Sequence, residues 1–196
     1  MRRVLILGSA KCLWSDYIEA VKLAKFDAVC AVNQSGCHFP DRIDYWCTLH
    51  PEKLLKWQQY RHDEGYSNDY VSISHEKPET FELGKAYPRI DKRVDFRYPG
   101  MTESGSSGLL AVKAMQEEGF DQIVIAGMPM QLDQAHFHDA KPWSERNMFI
   151  PAWEKAYPFI HPSVRSMSGW TCELLGYPSH EWFVSGDHNS GAENVI

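Results

Sequence analysis

The chain has 196 residues, 43% of them hydrophobic and 23% charged, enough for one domain with an ordinary core and short for two. Its formal net charge is -6, and Lys and Arg are scattered among Asp and Glu without a basic run, which argues against nucleic acid as a partner. Nothing approaches the roughly 20 consecutive apolar residues of a membrane span, and the five cysteines (Cys12, Cys30, Cys37, Cys47, Cys172) are odd in number and form no C-x-x-C pair. They read as reduced thiols of a cytoplasmic protein, not as a disulfide or zinc framework.

Val4 to Leu7 is a short continuous apolar run, the pattern of a strand covered on both faces. Gly8 ends it too early for an export signal. After the small-residue turn Gly8-Ser9-Ala10, Ser15 is placed to cap a helix over Asp16 to Lys25 whose inner face is Ile18, Val21 and Ala24. Ala28 to Val32 is a second buried strand ending at Asn33-Gln34-Ser35-Gly36, and Asp44 to Leu49 a third. Pro51 opens a helix carrying Leu54, Leu55 and Trp57, which fades into the polar stretch from Arg61 to Asn68.

Tyr70 to Ser74 and Val94 to Tyr98 alternate in polarity, as strands near a sheet edge do; the charged segment from His75 to Lys92 between them reads as a surface loop. Ser104-Gly105-Ser106-Ser107-Gly108 then leads into a run of helix formers closed by Gly119, and the apolar strand Gln122 to Ala126 follows at once. From Met128 to Trp143 the texture is irregular, with Gln131, Asp133, His136, His138 and Asp139. Helices are predicted at about Pro151 to Tyr157 and Ser166 to Leu175, the second capped by Ser168, and a flexible polar tail over 185–196.

This alternation predicts an α/β fold. A mostly parallel, Rossmann-like sheet is flanked by helices, in a single domain over 1–184 whose aromatic-rich, irregular C-terminal helical cap spans about 128–184. Ligands of such sheets bind beyond the carboxyl ends of the strands. Gly8, Ser9, Asn33, His50, the loop from Ser104 to Gly108 and the residues after Gly127 all fall on that rim. A Gly/Ser loop entering a helix presents free N–H groups and the positive end of the helix dipole, the usual cradle for phosphate; a tight turn with a serine cap is the plainer alternative.

The pattern V-L-I-L-G-S, C-A-V-N-Q-S, D-Y-W-C-T-L-H-P and S-G-S-S-G-L-L-A-V-K-A-M-Q-E-E-G-F-D-Q-I-V-I-A-G-M-P-M resembles a Rossmann-like superfamily over roughly residues 3–130. That superfamily includes the bacterial CMP-sialic-acid-dependent sialyltransferases, motility-accessory proteins implicated in flagellin glycosylation and an archaeal hydroxymethylpterin diphosphokinase. The resemblance implies a nucleotide or nucleotide-sugar, CMP-type first, held by Gly8, Ser9, Asn33, Ser104, Gly105, Ser106, Ser107 and Gly108. It also implies a histidine base in the C-terminal part, for which His138 and then His161 are the candidates, with Arg165 or Tyr157 as phosphate partners. The first loop, Gly8-Ser9-Ala10-Lys11, lacks the second glycine of the sialyltransferases, and no G-x-G-x-x-G fingerprint is present, so a nicotinamide or flavin is not expected.

Three functions remain open on these residues: a nucleotide-sugar-dependent transferase needing no cofactor, a nucleotide-binding module without chemistry, and a Mg-dependent diphosphokinase of a small heterocycle. His136 and His138, two apart, would share a side of an extended segment and invite a metal reading with His50 or Asp133, but no third ligand has a defined spacing. Asp44, Asp133 and Asp139 are the carboxylates open to a magnesium ion in the diphosphokinase case.

Overall fold

The computed structural model describes residues 1–75, 88, 90–131, 135–139 and 145–185. Seven strands form one all-parallel sheet with helices on both faces, the expected Rossmann-like arrangement. In chain order the elements are β1 (Arg3–Leu7), α1 (Leu13–Leu23), β2 (Ala28–Val32), α2 (Ser35–His38), β3 (Tyr45–Cys47), α3 (Pro51–Asp63), β4 (Val71–His75), β5 (Lys92–Val94), α4 (Ser106–Glu117), β6 (Gln122–Ala126), α5 (Arg146–Ile160), β7 (Val164–Ser166), α6 (Gly169–Leu175) and α7 (His180–Ser185). The sheet order is β5-β4-β3-β2-β1-β6-β7. The chain builds outward from β1 on one side, then returns to its other side with β6. This reversal beside β1 is the switch point at which α/β sheets open a crevice. Register sharpens it, since Leu7 lies level with Ala31 on β2 and with Ala126 on β6. Gly8, Val32 and Gly127 therefore stand at one height, with Val32 the last residue of its strand.

Alternate residues of β1 feed two cores. Val4 and Ile6 pack under α4 and α5, while Leu5 and Leu7 pack under α1 and α3. A strand covered on both sides cannot alternate with polar residues, which is why it reads as a continuous apolar run. Helix α4 is buried almost all round: Leu109, Leu110, Ala111, Val112, Ala114 and Met115 are each 0–1% exposed, pressed between the sheet and α5 with its Trp153.

Several elements differ from their sequence-based expectation. Helix α1 starts at Leu13, with Cys12 at its cap position, and Ser15 donates to the Cys12 carbonyl instead of capping. Its inner face is Leu13, Asp16 and Ala20, while Ile18 and Val21 are half exposed. The reason is Asp16: its Oδ2 accepts from the Gly127 N–H at 2.9 Å and the Ser168 hydroxyl at 2.6 Å, so a carboxylate holds the position an apolar side chain was expected to fill.

The third strand is shorter than Asp44 to Leu49, and β5 ends at Val94, level with His75 on β4. Phe96 and Tyr98 continue into the core without a ladder. Helix α3 runs on to Asp63, and Arg61 is fully buried where a polar fade was expected. Its guanidinium donates to the carbonyls of Gly36, Phe39, Asp41 and Ser67 at 2.6–2.9 Å, tying α3 to the loop after α2.

In the C-terminal part, α5 begins at Arg146, five residues before Pro151, and β7 occupies the start of the stretch read as a single helix. Gly169, at φ +66° and with its Cα against Pro129, prevents that helix from extending back to Ser166. The loop expected over His75–Lys92 falls largely, and the flexible tail almost entirely, outside the described residues. Among the described residues no helix is long and apolar enough to cross a membrane.

Candidate ligand cavity at the switch point

Beyond the carboxyl ends of β3, β2, β1 and β6 lies a cavity of about 570 Å³, within the size range of small-molecule sites. The sequence candidates Gly8, Ser9, Asn33, Ser104, Ser106, Ser107 and Gly108 line it; Gly105 sits behind them, buried against Leu109. Gly8 has to be glycine, because a Cβ there would stand 2.2 Å from the Gly127 carbonyl oxygen. The crossing of β1 and β6 thus leaves no side chain between the backbone and the cavity floor.

The start of α4 departs from an ordinary cap. Gly105 has φ −94° and ψ 19°, and Ser106 follows at φ +78°, with no side-chain cap hydrogen bond. Two successive residues of opposite hand turn consecutive N–H groups toward one concave point, a nest suited to an anion. Among the described residues, no acceptor outside the helix takes the N–H groups of Ser106, Ser107 or Gly108. Ser107 serves the scaffold, its Oγ accepting from the Leu49 N–H at 3.0 Å and so fixing α4 to the end of β3. The serine-capped turn is therefore not what forms here.

Strain gathers at the same place. Asn33 (φ 53°), Ser106 (φ 78°) and Met130 (φ 51°) are the non-glycine residues with positive φ among the described residues, and all three line the cavity. Such conformations cost on the order of 1 kcal/mol each and persist where the surroundings over-determine them. Asn33 is held on every side. Its N–H donates to the Cys47 carbonyl, its own carbonyl accepts from the Trp46 indole at 2.7 Å, and its Oδ1 accepts from the Thr48 hydroxyl at 2.8 Å. Thr48 Oγ1 in turn accepts from the His50 N–H. With the amide oxygen engaged, the Asn33 NH₂ is the group left for a ligand acceptor.

Segment 135–139 closes one side. Ala10 and His136 form a bridge, the Lys11 N–H donates to the Ala135 carbonyl, and the Phe137 N–H donates to the Ser9 carbonyl at 2.9 Å. His136 Nδ1 lies 3.3 Å from the same Ser9 oxygen, and since a carbonyl only accepts, the ring donates from Nδ1. His136 lines the cavity, together with Asp139 and with Glu145 and Phe149 from the start of α5.

The two expected base residues stand elsewhere. His138 does not line the cavity; its ring lies between those of His136 (5.2 Å) and His38 (6.1 Å), both nearly parallel to it, and its Nδ1 is buried with no hydrogen-bond partner among the described residues. Burial pushes its pKa below the usual histidine range, helped by the neighbouring imidazoles. His161 caps the C-terminal end of α5, just before β7 begins, so it lies at the amino end of the sheet, opposite the cavity. Arg165 and Tyr157 are at that end too, and Arg165 is spent on the carbonyls of His161 and Val164.

No metal group comes together: among the described residues, no three His, Cys, Asp or Glu side chains are placed to hold an ion. His136 and His138 stack on one another instead of projecting toward a shared ligand, Asp44 is held by Arg42 and the Val29 N–H, and Asp133 is outside the described residues. Ser168 occupies the cap position of α6, but its hydroxyl goes to Asp16.

Sequence reasoning missed Lys53, an exposed lysine in the first turn of α3 and, among the described residues, the one Lys or Arg at the cavity wall. Its signal was available in Pro51, which marks a helix beginning on the rim and so places the next residues beside the site. No known protein family matches the chain, and no curated protein or solved structure is similar to it.

Proposed function

We propose that this protein binds a nucleotide or nucleotide-sugar, CMP-type first, and works as a nucleotide-sugar-dependent glycosyltransferase. The observation that carries this reading is the strained nest at Gly105-Ser106, with its N–H groups turned to a concavity that the cavity reaches and with Lys53 on the same wall. The strand order spreads three kinds of surface across the cavity. Leu49, Trp57 and Asn33 lie on the β3 and β2 side, where an apolar slot with one amide suits a base and ribose. The α4 nest suits the phosphate, and Gln131, His136, Asp139 and Glu145 make a polar end on the β6 side, suited to a sugar's hydroxyls. The motif resemblance favours CMP over other nucleotides.

In this reading His136 replaces His138 and His161 as the base. Its Nε2 takes the proton of an acceptor hydroxyl, while the Ser9 carbonyl holds Nδ1–H and so fixes the ring. The nest and Lys53 receive the charge that develops on the leaving phosphate. The test is a thermal-shift panel of CMP, UDP, GDP, ADP and ATP, with and without magnesium. The reading expects CMP to raise the melting temperature without metal. An ATP response that requires magnesium would redirect it to phosphoryl transfer, and silence across the panel would remove the nucleotide. Hydrolysis of a CMP-sugar by wild type but not by His136→Gln then separates catalysis from simple binding.

A further inference from the structure

We propose that the stacked imidazoles of His38, His138 and His136 form a pH-operated latch, holding segment 135–139 closed over the cavity near neutral pH and releasing it in mild acid. The proposal regulates the cavity already described and rests on that cavity being the ligand site. Three observations converge on it. The rings are near-parallel, at 10° between His38 and His138 and 13° between His138 and His136, so the three can charge together only against mutual repulsion. His138 Nδ1 is buried with no acceptor among the described residues, so a proton placed there would be a cationic donor facing none of them. The segment carrying two of the rings meets Ser9, Ala10 and Lys11 through backbone hydrogen bonds, and Phe137 between the rings packs on Trp14 and His38.

The carboxylates around the stack favour its protonation only weakly. His38, on α2, faces the Tyr60 ring at 5.0 Å and the Phe137 ring at 5.3 Å, with the Glu64 carboxylate beyond α3 as its nearest favourable charge. Among the described residues, Asp139 is the carboxylate that favours a charged His138, against His136 and His38. His136 faces the Ser9 carbonyl, and Lys11 lies on the paired loop. Both carboxylates are exposed, so water screens them. Burial lowers the pKa of His38 and of His138. A base whose pKa is lowered on closing favours the closed state above its free pKa of about 6.5, and that preference is lost as pH falls from there through the closed-state values.

The experiment is amide hydrogen exchange by NMR on the ligand-free chain at pH 7.5 and 5.5, corrected for intrinsic rates. Protection of the Phe137 N–H, which is bonded to the Ser9 carbonyl, should fall by roughly tenfold or more at pH 5.5, while strand amides such as Val124 keep theirs. In His138→Phe, which keeps a ring in the stack and removes its central titrating group, Phe137 should lose clearly less protection at pH 5.5 than in wild type. His38→Phe gives the same reading should the first variant fail to fold. Unchanged Phe137 protection in wild type, an equal loss at Val124, or the same acid loss in the folded variants overturns the latch. Because no ligand is present, a failure of CMP to bind counts against the nucleotide reading and leaves this result standing on its own.

Discussion

Asp16 offers the sharpest test of how the cavity floor is held. It is 8% exposed, and its Oδ2 accepts the Gly127 N–H and the Ser168 hydroxyl, joining α1, the end of β6 and the start of α6. Asp16→Ala leaves the Gly127 N–H in a dry site without its acceptor and takes from the Ser168 hydroxyl its carboxylate partner, leaving it the Cys12 sulfur at 3.5 Å. One unsatisfied buried donor costs about 1–3 kcal/mol, and a hydrogen bond to a charged group contributes about 1.5–3 kcal/mol. A combined loss of about 3 kcal/mol is therefore expected, which for a chain of this length lowers Tm by roughly 6–12 °C. Asp16→Asn keeps a carbonyl oxygen for Gly127 and should lose about a third of that. Adding Ser168→Ala to Asp16→Ala should cost less than Ser168→Ala alone, since the two share one interaction. Thermal and urea unfolding read wild type and the four variants. Asp16→Ala melting within about 2 °C of wild type would refute the reasoning.

Ser106 supplies its backbone to the nest, so Ser106→Gly should keep CMP affinity within about twofold and gain stability, whereas Ser106→Val, β-branched at φ +78°, should lose both. Calorimetric titration and melting check the pair. Lys53 makes no ion pair among the described residues, so Lys53→Ala should leave Tm unchanged and weaken CMP binding about three- to tenfold, with a smaller salt dependence than wild type. His161→Ala should leave CMP affinity and any CMP-sugar turnover unchanged, because the residue lies at the far end of the sheet; a large loss there would return the base to the C-terminal end of α5.

The parallel sheet was legible because buried strands must be apolar on both faces, and the rim was legible because the crevice rule needs only strand order and the residues after each strand. Most of the cavity wall, from Gly8 to Gly108, followed from that. The inward face of α1 was not, since periodicity assigns apolar residues inward and Asp16 is inside for its hydrogen bonds to Gly127 and Ser168. Arg61 escaped for the same reason: a buried guanidinium satisfied by four backbone carbonyls looks like a surface arginine in sequence. His136 and His138 could not be ranked from spacing, because which ring meets the cavity depends on the bridge between His136 and Ala10. Strand β7 carries too few apolar residues to announce itself next to the helix that follows.

The central claim is that a nucleotide phosphate sits on the N–H groups at the start of α4. Titrating the ¹⁵N-labelled chain with CMP, and in parallel with cytidine, tests it most directly. The account predicts that the amides of Ser106, Ser107 and Gly108 shift with CMP and stay in place with cytidine, while Asn33 responds to both. Shifts confined to other residues, or α4 amides that move equally with cytidine, would contradict it.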